Sequence, residues 1–414
     1  MDNKKYLDKI KTRFLKYVKY DTQSDPDSET YPSTEKELVL LNDLKNELNE
    51  LGLDDTKIDE YGYVTAILKS NTEKNVPVLA FVSHVDTATE VTGKKVNPQL
   101  IENYDGSDIQ LINDATQVIK VESNPYLKNL VGHDIVTTDG TTLLGADDKS
   151  GVAVVMSAID YLINHPEIKH GDIKVLFNPD EEVGTGTKFF DVEKFGADYG
   201  YTLDGSVKGE IEFENFNAYG AKVKFFGKAI HPGYAKDKMI NAIKALSYFV
   251  TLLPDEHSPE HTDGYKGFIH PITMNSGNEE ASITFILRDF ELEKINDYKE
   301  IINTLAKKAA DQFGAKFEVE FNEQYKSMNE VIKNHIKVVD YAKEAMDRLG
   351  IEVITKPIRG GTDGATLTHK GLPCPKLFTG QQNYHGKQEY ISLQDMFDSM
   401  RTVVEICKVW EEKS

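Results

Sequence analysis

The sequence predicts an α/β protein: a mixed, largely parallel sheet flanked by helices, with a ferredoxin-like α+β domain inserted into it. Three observations carry that prediction. Apolar strand-like runs alternate with helical periods up to about residue 205. Beyond Gly209 the order becomes β-α-β-β-α-β. From about residue 331 the first pattern returns. A length of 414 residues suits two domains. The expected division is a discontinuous domain, 1–209 with 325–414, and an inserted domain, 210–324.

The elements follow in order. Tyr6, Leu7, Ile10, Phe14, Tyr17 and Val18 have helical spacing over 6–20. A polar, turn-rich loop follows. Ser33 or Thr34 is placed to cap a second helix that Gly52 ends. Strands are predicted at 63–68 and 78–82, the second a continuous apolar run suited to a buried parallel strand. The polar stretch 86–142 has little periodicity and reads as surface decoration. An apolar helix opens at GVAVVMSAIDYLI, then come strands DIKVLFNP and YGYTLDG. In the insert, strand-like FENFNAYGAKVKFFG precedes a helix at 241–253, strands at 267–274 and 281–290, a helix at 293–312 and a strand at 316–321. The last part reads as a helix at 331–349, strand IEVIT, loop RGGTDGA, strand PKLFTG and a closing helix.

Charge narrows the function. With 68 acidic and 48 basic side chains the net charge is −20, and the pI is near 5.0. No basic face for nucleic acid or an anionic membrane is expected. Two cysteines, Cys374 and Cys407, cannot make a secreted disulfide scaffold. The first twenty residues are charged throughout, and no window approaches the ~18 apolar residues of a membrane span. A reducing cytoplasm is the expected location.

Five segments at predicted strand ends and turns carry the chemistry: SHVDT (83–87), GADDKSG (145–151), PDEEVG (179–184), TLDGS (202–206) and NYHGKQEY (383–390). They offer His84, Asp86, Asp147, Asp148, Glu181, Glu182, Asp204 and His385. Imidazole and carboxylate without thiolate suit Zn²⁺ or a neighbouring divalent metal. A carboxylate can bridge two metals, and a Glu-Glu pair can supply one ligand and one base. Each segment alone is commonplace, because acid pairs and His-x-Asp are frequent in so acidic a chain. The combination is not: buried strands run directly into these carboxylates, where desolvation is costly without a cation.

In that order, with the HPG of the insert and RGGTDGA, these motifs resemble the co-catalytic di-zinc peptidases of the aminoacylase and glutamate-carboxypeptidase type. The resemblance covers nearly the whole chain and implies two Zn²⁺ per subunit, with Co²⁺ or Mn²⁺ as substitutes. It implies that Asp147 bridges the metals, that His84 and Asp204 complete one, and that Glu182 and His385 complete the other. Glu181 is then the base on the metal-bridging water, and Asp86 orients His84. A cis peptide between Asp147 and Asp148 is implied too. The implied activity is release of the N-terminal residue from tripeptides, because Asp rather than Glu at 204 goes with aminopeptidases. A homodimer through the inserted domain is a further expectation.

Three residues of the latter half are assigned to a short peptide substrate. His231 stands in HPG, where alone it reads as a loop histidine before a turn proline. Arg288 closes the strand ITFILRDF, where an ion pair with Asp289 or Glu291 is an equal alternative. Arg359 opens RGGTDGA. A guanidinium suits a terminal carboxylate, and only five arginines occur in the chain. The rival readings are a dipeptidase or N-acyl amino acid amidohydrolase on the same scaffold, and a non-catalytic peptide-binding protein.

Overall fold

The computed structural model describes residues 3–414. The chain forms two compact units, one comprising residues up to Phe213 with Met328–Lys356 and Thr362–Ser414, the other Glu214–Ser327 with Pro357–Gly361.

The first unit is built on an eight-stranded sheet. Its centre is four parallel strands in the spatial order Ile173–Asn178, Leu79–His84, Tyr199–Gly205 and Lys376–Phe378. Val64–Leu68 and Asp54–Ile58 extend one side antiparallel, and Glu210–Glu212 and Ile354–Thr355 extend the other. Leu79–His84 is buried at every residue, as a strand covered on both faces must be. The helix Ala146–Asn164 is buried from Ala146 to Leu162. Its apolar residues surround it, so it lies between the sheet on one side and the helices Asn3–Tyr17 and Leu393–Glu412 on the other.

Close approach of that helix depends on Gly151. A Cβ there would lie 1.8 Å from the Leu203 carbonyl oxygen, 2.5 Å from Asp148 Oδ1 and 2.6 Å from Ser83 Oγ. Glycine therefore sets the distance between the helix start and the strand ends that carry His84 and Asp204.

The second unit is a four-stranded antiparallel sheet in the order Phe268–Ser276, Glu280–Asp289, Asn217–Phe226, Lys316–Tyr325. Its chain order is β-α-β-β-α-β, with helices Ala242–Thr251 and Leu292–Phe313. Burial alternates residue by residue along Glu280–Asp289. Val223, Phe225, Phe249, Ile283, Phe285 and Ile302 form its core with the two helices.

Four local expectations change. Ser33 and Thr34 do not cap helix Glu37–Glu50; Thr34 N–H and both hydroxyls donate to Glu37 Oε1 instead. The helix expected at 331–349 is two, Asn329–Ile332 and Lys337–Arg348, with Lys333, Asn334, His335 and Ile336 between them all exposed. Strand Asp54–Ile58 is polar and mostly exposed, so it carried no apolar alternation. The stretch 86–142 has its own small core, in which Tyr104, Ile109, Leu127 and Ile135 pack with Tyr390.

Gly151→Ala is expected to lower the unfolding free energy by about 1–3 kcal/mol, because the helix must move off the sheet. Urea unfolding followed by circular dichroism measures it; a wild-type midpoint and slope would refute the packing argument.

Candidate metal centre

The site lies at the carboxyl ends of the parallel strands, where open α/β sheets bind their ligands. His84 is the last residue of its strand, and Asp204 stands one residue before the end of Tyr199–Gly205. Glu181 and Glu182 occupy the turn after Ile173–Asn178. Asp147 begins helix Ala146–Asn164, but its backbone is not helical (φ −81°, ψ 105°). The Asp147–Asp148 peptide is cis. His385 lies between strands Gln381–Gln382 and Tyr390–Ser392, with φ of 61°.

The structure brings five of the expected side chains together. His84 Nε2 is 3.2 Å from Asp147 Oδ1 and 3.7 Å from Asp204 Oδ1. His385 Nε2 is 3.3 Å from Asp147 Oδ2 and 3.0 Å from Glu182 Oε2. Asp147 thus turns one oxygen to each imidazole. Two ligands on one tetrahedral Zn²⁺, with bonds of 2.0–2.1 Å, would stand about 3.3 Å apart.

Buried atoms without partners point the same way. His84 Nε2, Asp147 Oδ1 and Glu182 Oε1 make no hydrogen bond. His84 and Asp147 approach closely, yet without hydrogen-bond alignment. Buried polar atoms are otherwise almost always satisfied. His84, Asp147 and Glu182 offer atoms within 4.8 Å of one another, and so do His84, Asp148 and Asp204. The chain therefore carries His/Asp/Glu groups that can hold a metal ion, and the donor set fits a divalent cation.

Electrostatics shows how strongly the pocket demands positive charge. Burial disfavours a charged His84, but Asp147, Asp204 and Asp86 outweigh it and raise its pKa well above the ordinary value. Hydrogen bonding to Asp147 and Glu182 lifts His385 to about 11. Burial raises Glu181, His84 opposes it, and Asp363, Asp204 and Glu182 push it further up. In such a pocket protons hold the place that cations would take.

Asp86, fully buried, does more than orient His84. Its Oδ1 lies 3.2 Å from His84 Nδ1 and accepts Glu181 N–H at 3.0 Å. Its Oδ2 accepts Glu182 N–H at 3.1 Å. Because the carboxylate accepts, His84 Nδ1 carries a hydrogen, and the ring in its neutral form has its lone pair on Nε2, toward the pocket.

Several supporting residues were given no role from sequence. Asp148 accepts His84 N–H and Gly151 N–H, fixing the helix start to the strand end. Lys376 Nζ is 2.9 Å from Asp204 Oδ2, and Gln381 Nε2 donates to Asp204 Oδ1 at 3.2 Å. Asp363 accepts from Asn178 Nδ2 at 2.6 Å and lies 3.2 Å from Thr187 Oγ1, bracketing the Glu181–Glu182 turn. Asp363 belongs to RGGTDGA, a segment read for its arginine; its partner Asn178 lies far away in the chain, so sequence spacing carried no signal for it.

The three residues assigned to substrate lie in the second unit. His231 is exposed, and its Nδ1 accepts Gly233 N–H at 3.2 Å. Arg288 donates to the carbonyls of Tyr219 and Leu287 and lies over the Tyr325 ring, rather than pairing with Asp289 or Glu291. Arg359 donates to the carbonyls of Gly264 at 2.6 Å and Lys266 at 2.8 Å, with Phe216 beneath it.

Comparison with known proteins agrees with this geometry. Residues 137–408 match the model of peptidase family M20/M25/M40. A Listeria innocua protein named Peptidase T is 50% identical over 402 residues, covering 97% of this chain and 98% of its own. A Caldanaerobacter subterraneus Peptidase T is 48% identical over 408 residues, covering 98% and 100%. Among solved structures, an aminopeptidase from Bacillus cereus superposes with a TM-score of 0.77 at 22% identity, covering 98% of this chain and 99% of its own. Family model, near-full-length relatives and fold agree, and the chain belongs to peptidase family M20/M25/M40.

Proposed function

We propose that this chain is a metal-dependent aminopeptidase that removes the N-terminal residue from tripeptides. The observation that carries the reading is the convergence of His84, Asp147, Glu182, Asp204 and His385 at one set of strand ends, with unpartnered atoms facing inward. The relatives at about half identity bear the name Peptidase T, and Asp rather than Glu stands at position 204. Two divalent ions, zinc first, would be held there by His84, Asp147, Glu182, Asp204 and His385.

Bound there, the ions supply Lewis acidity to the scissile carbonyl and lower the pKa of the attacking water. The residues of the chain do the rest. Glu181 takes a proton from the water as its oxygen bonds to the carbonyl carbon. It returns that proton to the departing nitrogen as the carbon–nitrogen bond breaks. Asp86 fixes the His84 tautomer and, through two backbone N–H groups, the place of Glu181 and Glu182. We assign His231 and Arg288 to the bound peptide. For Arg359 we favour shaping the segment 262–266, since its guanidinium is already engaged there.

A homodimer through the second unit and a cytoplasmic location belong to the same proposal. Among the described residues no helix is long and apolar enough to cross a membrane.

Chelation should abolish tripeptide hydrolysis, and Zn²⁺, Co²⁺ or Mn²⁺ should restore it; full turnover by strictly metal-free protein would sink the proposal. Glu181→Ala should bind metal like the wild type yet lose about 10²–10⁴-fold in kcat. An undiminished kcat with normal metal content would give the base's role to another residue. In a panel of tripeptide, dipeptide and N-acyl amino acid, the tripeptide should have the highest kcat/KM. Equal or faster N-acyl turnover would favour the amidohydrolase alternative.

A further inference from the structure

Glu389 lies four residues beyond His385 and is 1% exposed. Both its carboxylate oxygens are turned on backbone N–H groups of the segment that delivers Asp147. Oε2 accepts from Leu144 at 2.6 Å and Gly145 at 2.8 Å, and Oε1 accepts from Asp147 itself at 3.1 Å. These are donors at and just before the start of helix Ala146–Asn164, where no carbonyl within the helix can reach.

The far side of Glu389 is equally fixed. The next three residues form strand Tyr390–Ser392, which pairs with Ile135–Thr137. On the other flank Thr138 Oγ1 donates to the Lys387 carbonyl at 3.2 Å, and Glu389 N–H donates to the Gly386 carbonyl at 3.3 Å. The segment holding His385 is therefore anchored to a separate four-stranded sheet of Gln381–Gln382, Tyr390–Ser392, Ile135–Thr137 and Gln99–Ile101 and, through one side chain, to the turn holding Asp147. The two residues that face each other across the centre, His385 Nε2 and Asp147 Oδ2, are 3.3 Å apart.

We propose that Glu389 is the positioning residue that pre-assembles the metal centre, fixing the Asp147 turn against the His385 loop before any cation binds. The inference rests on the metal-centre reading above and adds a residue outside the ligand set. Three N–H bonds leave the Glu389 carboxylate employed as a backbone acceptor. Removing it would bury those donors without acceptors, and such groups draw in water or move to find it. Asp147 would shift with them, and one displaced oxygen disturbs its approach to both imidazoles.

The test is calorimetric titration of Zn²⁺ into the metal-free full-length protein, wild type against Glu389→Gln. Glutamine keeps the shape, but its NH₂ must confront at least one of the three N–H groups. The variant should bind Zn²⁺ about 10–100-fold more weakly, as for other residues that orient metal ligands, and show an altered visible spectrum with Co²⁺. Its far-ultraviolet circular dichroism should match the wild type. A folded Glu389→Gln whose affinity stays within about threefold of wild type overturns the inference, since that is well below the effect expected of an orienting residue. Failure of the wild type to bind Zn²⁺ would instead sink the metal-centre reading. If the variant does not fold, amide hydrogen exchange on the metal-free wild type decides. Protection of Leu144, Gly145 and Asp147 before metal addition supports pre-assembly. Exchange at unprotected rates until Zn²⁺ is added overturns it.

Discussion

A single buried carboxylate, that of Asp86, holds together pieces of the site that come from different parts of the chain. It engages the imidazole of His84 on its own strand end and the backbone of Glu181 and Glu182 on the next. Hydrogen bonds to an ionised acceptor are roughly twice as strong as neutral ones. Here they set the spacing of the proposed base and two ligand candidates at once. Changing Asp86 would therefore release both the ring of His84 and the turn beside it.

The surroundings of that carboxylate explain why the pocket needs cations. Behind Asp86 lie two more acids. Glu37 is pushed up to about 9 by burial and by Asp86 and Asp180. Its oxygens accept from Thr34 and from Asp180 N–H. Asp363, buried beside the Glu181 turn, is raised to about 6, chiefly by burial. Of the cationic side chains there, Lys376 sits directly on Asp204. So many acids in one place are stable only with compensating positive charge or with protons. The acidity of the whole chain is a surface property; the acidity of this pocket is a chemical one.

The fold was legible because its signals are local. Continuous apolar runs such as 79–82 announce buried parallel strands, and the alternation in ASITFILRD announces a half-exposed one. His84, Asp147, Glu182, Asp204 and His385 were legible because each follows such a run or opens an apolar helix. Asp363, Lys376 and Glu389 were not. Their partners lie far along the chain, at Asn178, Asp204 and Leu144, and no spacing rule reports a contact of that kind. Arg359 shows the ambiguity of a residue type. Its residue type and Gly-rich setting suggested a substrate carboxylate, whereas a guanidinium with five donors can equally be consumed by carbonyls of a nearby loop.

The position of His385 in the chain has a consequence for synthesis. Translation is vectorial, and domains fold as they emerge, the N-terminal part first. His84, Asp147, Glu181, Glu182 and Asp204 precede the second unit, but His385 follows it. A ribosome-bound chain can thus display most of the acids of the centre without the imidazole that faces Asp147 and Glu182. On the proposed ligand set, a chain that stops short of His385 lacks one of its metal ligands, so a half-made copy is disarmed by the order of its own residues.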